Sequence, residues 1–162
     1  VQELHCVHLF PRRNPDIMMP EVLLADDNPS DVYLIREALR EHDVNCVLRV
    51  ASDGKEALGI VSAEAPPAAA RGISLIILDL NLPRHDGIEI LQKLRESATL
   101  EHVPVVVLTS SDSPRDRVLA TQLGATRYLR KPSNLEEFLS LGAVFKDLLG
   151  QMEITSRVVK GA

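Results

Sequence analysis

Ser74-Leu75-Ile76-Ile77-Leu78-Asp79 decides the fold of this chain: an unbroken apolar run that closes on a carboxylate. With no polar alternation, and too short for a buried helix, it reads as a strand covered on both faces. Such strands belong to parallel sheets flanked by helices. Outward from it, Glu21-Val22-Leu23-Leu24-Ala25 leads into Asp26 and Asp27, and Pro104-Val105-Val106-Val107-Leu108 leads into Thr109. Ala125-Thr126-Arg127-Tyr128-Leu129 lies just ahead of Lys131 and is the one run of the four that is not continuously apolar. Ligands of open parallel sheets bind beyond the carboxyl ends of the strands, where the strand order reverses. Three carboxylates, a hydroxyl and an ammonium are therefore expected at one place.

Between these runs lie helix signals. Asn28-Pro29-Ser30-Asp31 supplies a cap, a proline at the first helical position and an acid in the first turn. The helix it opens carries Val32, Ile35 and Leu39 and ends near Glu41. Residues 44–50 read as a second strand containing Cys46, followed by a turn at Asp53-Gly54 and a short helix through Ala57, Leu58 and Val61. Residues 65–72, rich in Pro and Ala, read as a connector outside the core. Asp86-Gly87 caps and turns a helix with Ile88, Leu91 and Leu94 on one face. Ser113-Pro114 opens another, which Gly124 closes. Ser133 with Glu136 three residues on forms a capping box for the last helix. About five strand–helix units without an internal repeat make a doubly wound α/β domain.

The 162 residues, 45% hydrophobic and 25% charged, suffice for one such domain over residues 20–149, with an extension over 1–19 and a tail over 150–162. The extension, with its prolines, reads as disordered, and Met18 or Met19 is a candidate start. A net charge of −5 without a basic run argues against a nucleic-acid or anionic-membrane surface. No apolar stretch approaches the roughly 20 residues of a membrane span. Cys6 and Cys46 have no metal or disulfide framework, which places the protein in a reducing, cytoplasmic setting.

The chemistry follows from the charges. Asp26, Asp27 and Asp79 at adjacent strand ends repel one another unless a cation lies between them. Hard oxygen ligands with no His or Cys at hand suit Mg²⁺, which keeps several waters and needs few protein ligands. Magnesium implies a phosphate, whose oxygens Lys131 and the Thr109 hydroxyl would meet. Asp79, ending the central strand, is placed as a carboxylate nucleophile that would form an aspartyl phosphate. One alternative is a phosphohydrolase, with Asp79 as nucleophile and the residue two positions on as acid. Asn81 stands there and has no proton to give. His85, without partners of its kind, reads as solvent-facing.

Leu24-Ala25-Asp26-Asp27-Asn28, Leu78-Asp79-Leu80-Asn81-Leu82-Pro83, Asp86-Gly87, Leu108-Thr109-Ser110 and Tyr128-Leu129-Arg130-Lys131-Pro132, in that order, resemble the receiver domains of two-component response regulators. The resemblance covers residues 20–149. It implies a flavodoxin-like, CheY-like five-stranded parallel sheet in the order 2-1-3-4-5, and phosphorylation of Asp79 by a histidine kinase. It implies Mg²⁺ on Asp26, Asp27, Asp79 and the backbone carbonyl of Asn81, with Lys131 on the phosphoryl group. It also implies a switch made of Thr109 and Tyr128, and a cis peptide before Pro132. The Asp-Asp-Asn-Pro-Ser-Asp stretch and the long connector resemble the single-domain regulators that partner phytochrome-type histidine kinases. A degenerate receiver, binding partners without phosphorylation, is the remaining alternative, and the complete acidic set counts against it.

The last helix shows two apolar faces when wound at 3.6 residues per turn. Leu135, Phe138, Leu139, Gly142, Phe145 and Leu149 form an arc for the sheet. Leu141, Val144 and Leu148 form a second stripe, expected to face water and to pair two copies of the chain as a homodimer.

Overall fold

Each apolar run forms a strand: β1 (Glu21–Ala25), β2 (Val47–Ala51), β3 (Ile73–Leu78), β4 (Val105–Thr109) and β5 (Arg127–Arg130). They make one parallel sheet in the order β2-β1-β3-β4-β5, the order that the resemblance implied. The computed structural model describes residues 19–160, with side chains through Met152; the expected extension, with Cys6 and Met18, lies outside the described residues. Six helices connect and flank the strands: α1 (Pro29–Glu41), α2 (Gly54–Val61), α3 (Pro67–Ala70), α4 (Gly87–Glu96), α5 (Pro114–Gln122) and α6 (Leu135–Lys160).

Strand side chains alternate between the two faces of the sheet, and both faces are covered. Leu23, Ile76, Leu78, Val105 and Val107 pack against α2, α4 and α5 through Ile60, Leu91, Leu94 and Ala120. Val22, Leu24, Leu75, Ile77 and Val106 pack against α1 and α6 through Ile35, Leu39, Phe138 and Phe145. Continuous apolar runs are what this double coverage selects. β5, at the sheet edge, is covered least, and its sequence is correspondingly mixed.

Most local signals act as read. Asn28 caps α1 through Ser30 N at 2.9 Å, Asp86 caps α4 through Ile88 N at 2.9 Å, and Ser113 caps α5 through Asp116 N at 3.2 Å. Gly124, at φ +80°, closes the end of α5. Three details differ. β2 begins at Val47, so Cys46 precedes the strand, half-buried against the α1–α6 core. The Pro/Ala connector contains the short α3 and is tied down: Arg49 Nη1 donates to Ala69 O at 2.6 Å, and Ala70 is buried. The cap of α6 is Asn134, whose Oδ1 accepts from Glu137 N at 2.8 Å, in place of Ser133. Ser133/Glu136 and Asn134/Glu137 have the same spacing, and local sequence does not choose between them.

The second stripe of α6 is not on the surface. Leu141 and Leu148 are buried and Val144 is half-buried against the same core, while Leu135, assigned to the sheet-facing arc, is 59% exposed. The helix faces two neighbours at once, the sheet and α1. At Gly142 it lies so close to α1 that an added Cβ would collide with the Ala38 carbonyl and His42 Nδ1. That contact sets the rotation, and Phe138, Leu141, Phe145 and Leu148 become the buried row at helical spacing. The motive for a dimer through Leu141, Val144 and Leu148 is thereby removed. α6 also runs on past Leu149 to Lys160, beyond the boundary expected for the tail.

Candidate functional site

Parallel pairing carries the chemistry-bearing residues to one edge. Beyond the last ladder positions, Asp26 N donates to Ala51 O (3.1 Å), Asp79 N to Ala25 O (3.0 Å) and Lys131 N to Thr109 O (2.9 Å). Asp26, Asp79, Thr109 and Lys131 therefore stand side by side at the carboxyl ends of four neighbouring strands. Gly87 closes the floor beneath them. Its N–H donates to Leu80 O at 3.1 Å, and a Cβ there would come within 2.7 Å of Asp79 O and 2.5 Å of Leu80 Cα. Beyond its role as a helix start, this glycine lets α4 approach the backbone of the acidic strand end.

Asp26 and Asp79 are buried, 2% and 4% exposed, and Asp27 is exposed. Oxygens of all three carboxylates lie within 4.8 Å of one another. Asp26 Oδ1 accepts from Asn28 N at 2.9 Å, and Asp79 Oδ1 accepts from Asn81 N at 3.0 Å. The Lys131 ammonium lies between them, 2.9 Å from Asp26 Oδ2 and 2.7 Å from Asp79 Oδ2. Burial pushes the Asp26 carboxyl above its ordinary range, with Lys131 and the Asn28 N–H opposing the shift. Burial alone would lower the Lys131 ammonium; its bonds to Asp31, Asp79 and Asp26 overcome this and leave it above its ordinary value.

Thr109 is fully buried, and its Oγ1 accepts from Asn81 Nδ2 and Ser111 N, both at 3.2 Å. The Asn81 side chain thus joins the loop after β3 to the end of β4. Tyr128, half-buried on the α5 side of the sheet, has Arg117 stacked over its ring at 4.7 Å. Its hydroxyl is the one buried side-chain polar atom without a hydrogen-bond partner among the described residues. The neighbouring Ser111 hydroxyl is committed to Asp116 Oδ2 at 2.7 Å. Burial raises the Tyr128 phenol, and Ser111 offsets only part of the rise. Ser111 therefore connects Thr109, through its N–H, with the surroundings of Tyr128.

Asp31 is a site residue that strand-end reasoning passed over. Its Oδ2 lies 2.8 Å from Lys131 Nζ, the third carboxylate on that ammonium. The available signal was an acid in the first turn of a helix that starts beside the acidic strand end. The Lys131–Pro132 peptide is trans, against the cis bond implied by the resemblance; no described peptide bond is cis. Trans is favoured before proline by about 0.5–1 kcal/mol, and Lys131 reaches all three carboxylates from the trans backbone. His85 faces Glu89 at 3.2 Å and stands apart from the acidic group.

The donor set fits a divalent cation. Three carboxylates converge, two of them buried, and the lysine drawn among them shows that the position demands positive charge. Among the described residues no His or Cys joins the group, which selects a hard metal.

Comparison with known proteins agrees with this geometry. Residues 22–141 match the model of the response regulator receiver domain. The response regulator Rcp1 of Synechocystis is 32% identical over 120 residues, 74% of this chain and 82% of that protein. Transcriptional regulators at 34–38% identity also match, with the chain spanning about half of their length, 42–52%. Among solved structures, the phosphorylated cyanobacterial phytochrome response regulator RcpA superposes with a TM-score of 0.73 at 32% identity, covering 82% of this chain and 94% of that one. The Mn²⁺-bound form of Rcp1 superposes at 0.68 and 31%, covering 76% and 88%. The chain belongs to the response regulator receiver domain family, the phosphoacceptor modules of two-component signalling. Its acidic cluster could hold a divalent metal ion, and the similar Rcp1 has a Mn²⁺-bound form.

Proposed function

We propose that Asp79 accepts a phosphoryl group from a histidine kinase of phytochrome type, with Mg²⁺ held by Asp26, Asp27, Asp79 and the backbone carbonyl of Asn81. The observation that carries this is the Lys131 ammonium 2.7 Å from a buried Asp79 carboxylate that also shares the acidic cluster. Bound metal would neutralise the carboxylates and the oxygens of the incoming phosphoryl group. An Asp79 oxygen attacks phosphorus, the P–N bond to the kinase imidazole breaks, and the imidazole leaves with its electron pair. Lys131 N–H groups meet the charge on the transferred oxygens, and the Thr109 hydroxyl turns to donate to another. Water later attacks phosphorus, the acyl-phosphate P–O bond breaks, and Asp79 is restored as a carboxylate.

The Thr109 movement would release its bonds to Asn81 and Ser111, and through Ser111 alter the packing of Tyr128 beneath Arg117. The face formed by α5, β5 and α6 would report phosphorylation to a partner protein. The resemblance to RcpA and Rcp1 supports a phytochrome-type kinase as donor. No helix among the described residues is long and apolar enough to cross a membrane.

Treatment with phosphoramidate and Mg²⁺ should add one phosphoryl group by intact mass, at Asp79 by peptide mapping. Asp79→Asn should accept none. A phosphopeptide carrying Asp26 or Asp27 in the unmutated protein would overturn the assignment, and steady turnover of a model phosphate ester would favour a phosphohydrolase.

A further inference from the structure

The Lys131 ammonium has three N–H groups and three carboxylates, and one of these has no part in the chemistry set out above. Asp31 Oδ2 lies 2.8 Å from Nζ, and the two side chains are 17% and 12% exposed. Asp79 Oδ2 accepts from Nζ at 2.7 Å, and Asp26 Oδ2 lies at ion-pair distance from it, 2.9 Å. The carboxylates differ in what else they are asked to do. Asp26 and Asp79 belong to the group able to hold one metal ion; Asp31 does not. Once a divalent cation sits on Asp26 and Asp79, and once Asp79 carries a phosphoryl group, both have other partners for their charge. Lysine is a point charge on a flexible four-carbon stem, and with those two bonds released it would be free to turn away from the reacting oxygens.

Asp31 is held independently of that exchange. It sits in the first turn of α1, where helix N–H groups favour a carboxylate. The turn is fixed by Asn28, whose side chain accepts from Ser30 N and whose carbonyl accepts from Val32 N at 3.0 Å.

We propose that Asp31 is a positioning residue that keeps the Lys131 ammonium over Asp79 while Asp26 and Asp79 turn to metal and phosphoryl group. One N–H stays on Asp31, and the other two are free for phosphoryl oxygens. The inference rests on the reading of Asp79 as phosphoacceptor.

Asp31→Asn keeps the size and removes the charge, and Asp31→Glu restores it. At saturating Mg²⁺ the initial rate of labelling by phosphoramidate should fall about tenfold in Asp31→Asn, short of the roughly hundredfold that an ångström of misplacement can cause. Asp31→Glu should recover most of the rate. In a Lys131→Met background, Asp31→Asn should change the residual rate no further, which a merely structural role would not produce. At saturating Mg²⁺ without phosphodonor, the ¹⁵N ammonium resonance of Lys131 should be visible in the unmutated protein, lost in Asp31→Asn and regained in Asp31→Glu. Labelling of Asp31→Asn at the parent rate, or an equal fall in the Lys131→Met background, overturns the proposal. If the unmutated protein does not label at all, the reading of Asp79 fails, and the resonance in Mg²⁺ still decides whether Asp31 holds Lys131.

Discussion

Asp26 and Asp79 are bonded alike. Each accepts at Oδ1 from the backbone N–H two residues on, Asn28 or Asn81, and each sets Oδ2 within 3 Å of the one Lys131 ammonium. Two buried carboxylates on neighbouring strands are thus aimed by matching turns at a shared cation. The turns fix where the oxygens point, and the lysine offsets the repulsion that burial strengthens.

Lys131→Met should therefore destabilise the metal-free protein by about 3 kcal/mol, the lower end for removing one partner of a buried ionic group. Divalent metal should restore much of the loss by replacing the missing charge. Urea unfolding of parent and variant, with and without Mg²⁺, measures both effects. Equal stability of the two proteins without metal would show that the ammonium does not hold the carboxylates together.

Asp27 behaves differently because it is exposed and forms no ion pair among the described residues. Asp27→Ala should leave metal-free stability within about 0.5 kcal/mol of the parent or raise it, while weakening Mg²⁺ binding. Melting without metal and calorimetric titration with it separate the two, and a clear drop in metal-free melting temperature would contradict the assignment.

Leu148 is 2% exposed in the α1–α6 core. Leu148→Glu should cost about 3 kcal/mol or more, because the variant must bury a carboxylate without a partner or open the core. Chemical denaturation reads this directly. A variant as stable as the parent would return Leu148 to the surface.

Cys46 offers a pH test away from the acidic site. Burial raises its thiol above the ordinary 9.0, so the folded chain holds this proton more tightly than the unfolded one. Its contribution to stability is present below the ordinary value and is lost as pH rises through the folded value. In a Cys6→Ser background, a thiol reagent at pH 8 should react more slowly with native protein than with urea-unfolded protein, since the thiolate is the nucleophile. Equal rates would place Cys46 in water.

Local sequence determined a good deal of this protein. Runs such as Leu75–Leu78 and Val105–Leu108 can be satisfied only by burial on both faces, so they announce a helix-covered parallel sheet and carry Asp79 and Thr109 to its carboxyl edge. Asn28, Asp86 and Ser113 satisfy helix N–H groups within a few residues of themselves, and such short-range bonds are legible in a linear chain. Tertiary structure decided what depends on distant partners. The rotation of α6 follows from the close approach of Gly142 to Ala38 on another helix, and an apolar periodicity wide enough for two faces does not say which is buried. The bond between Lys131 and Asp31 joins residues 100 positions apart. Nothing near either residue encodes that distance; it exists only because α1 and the end of β5 meet above the same edge of the sheet.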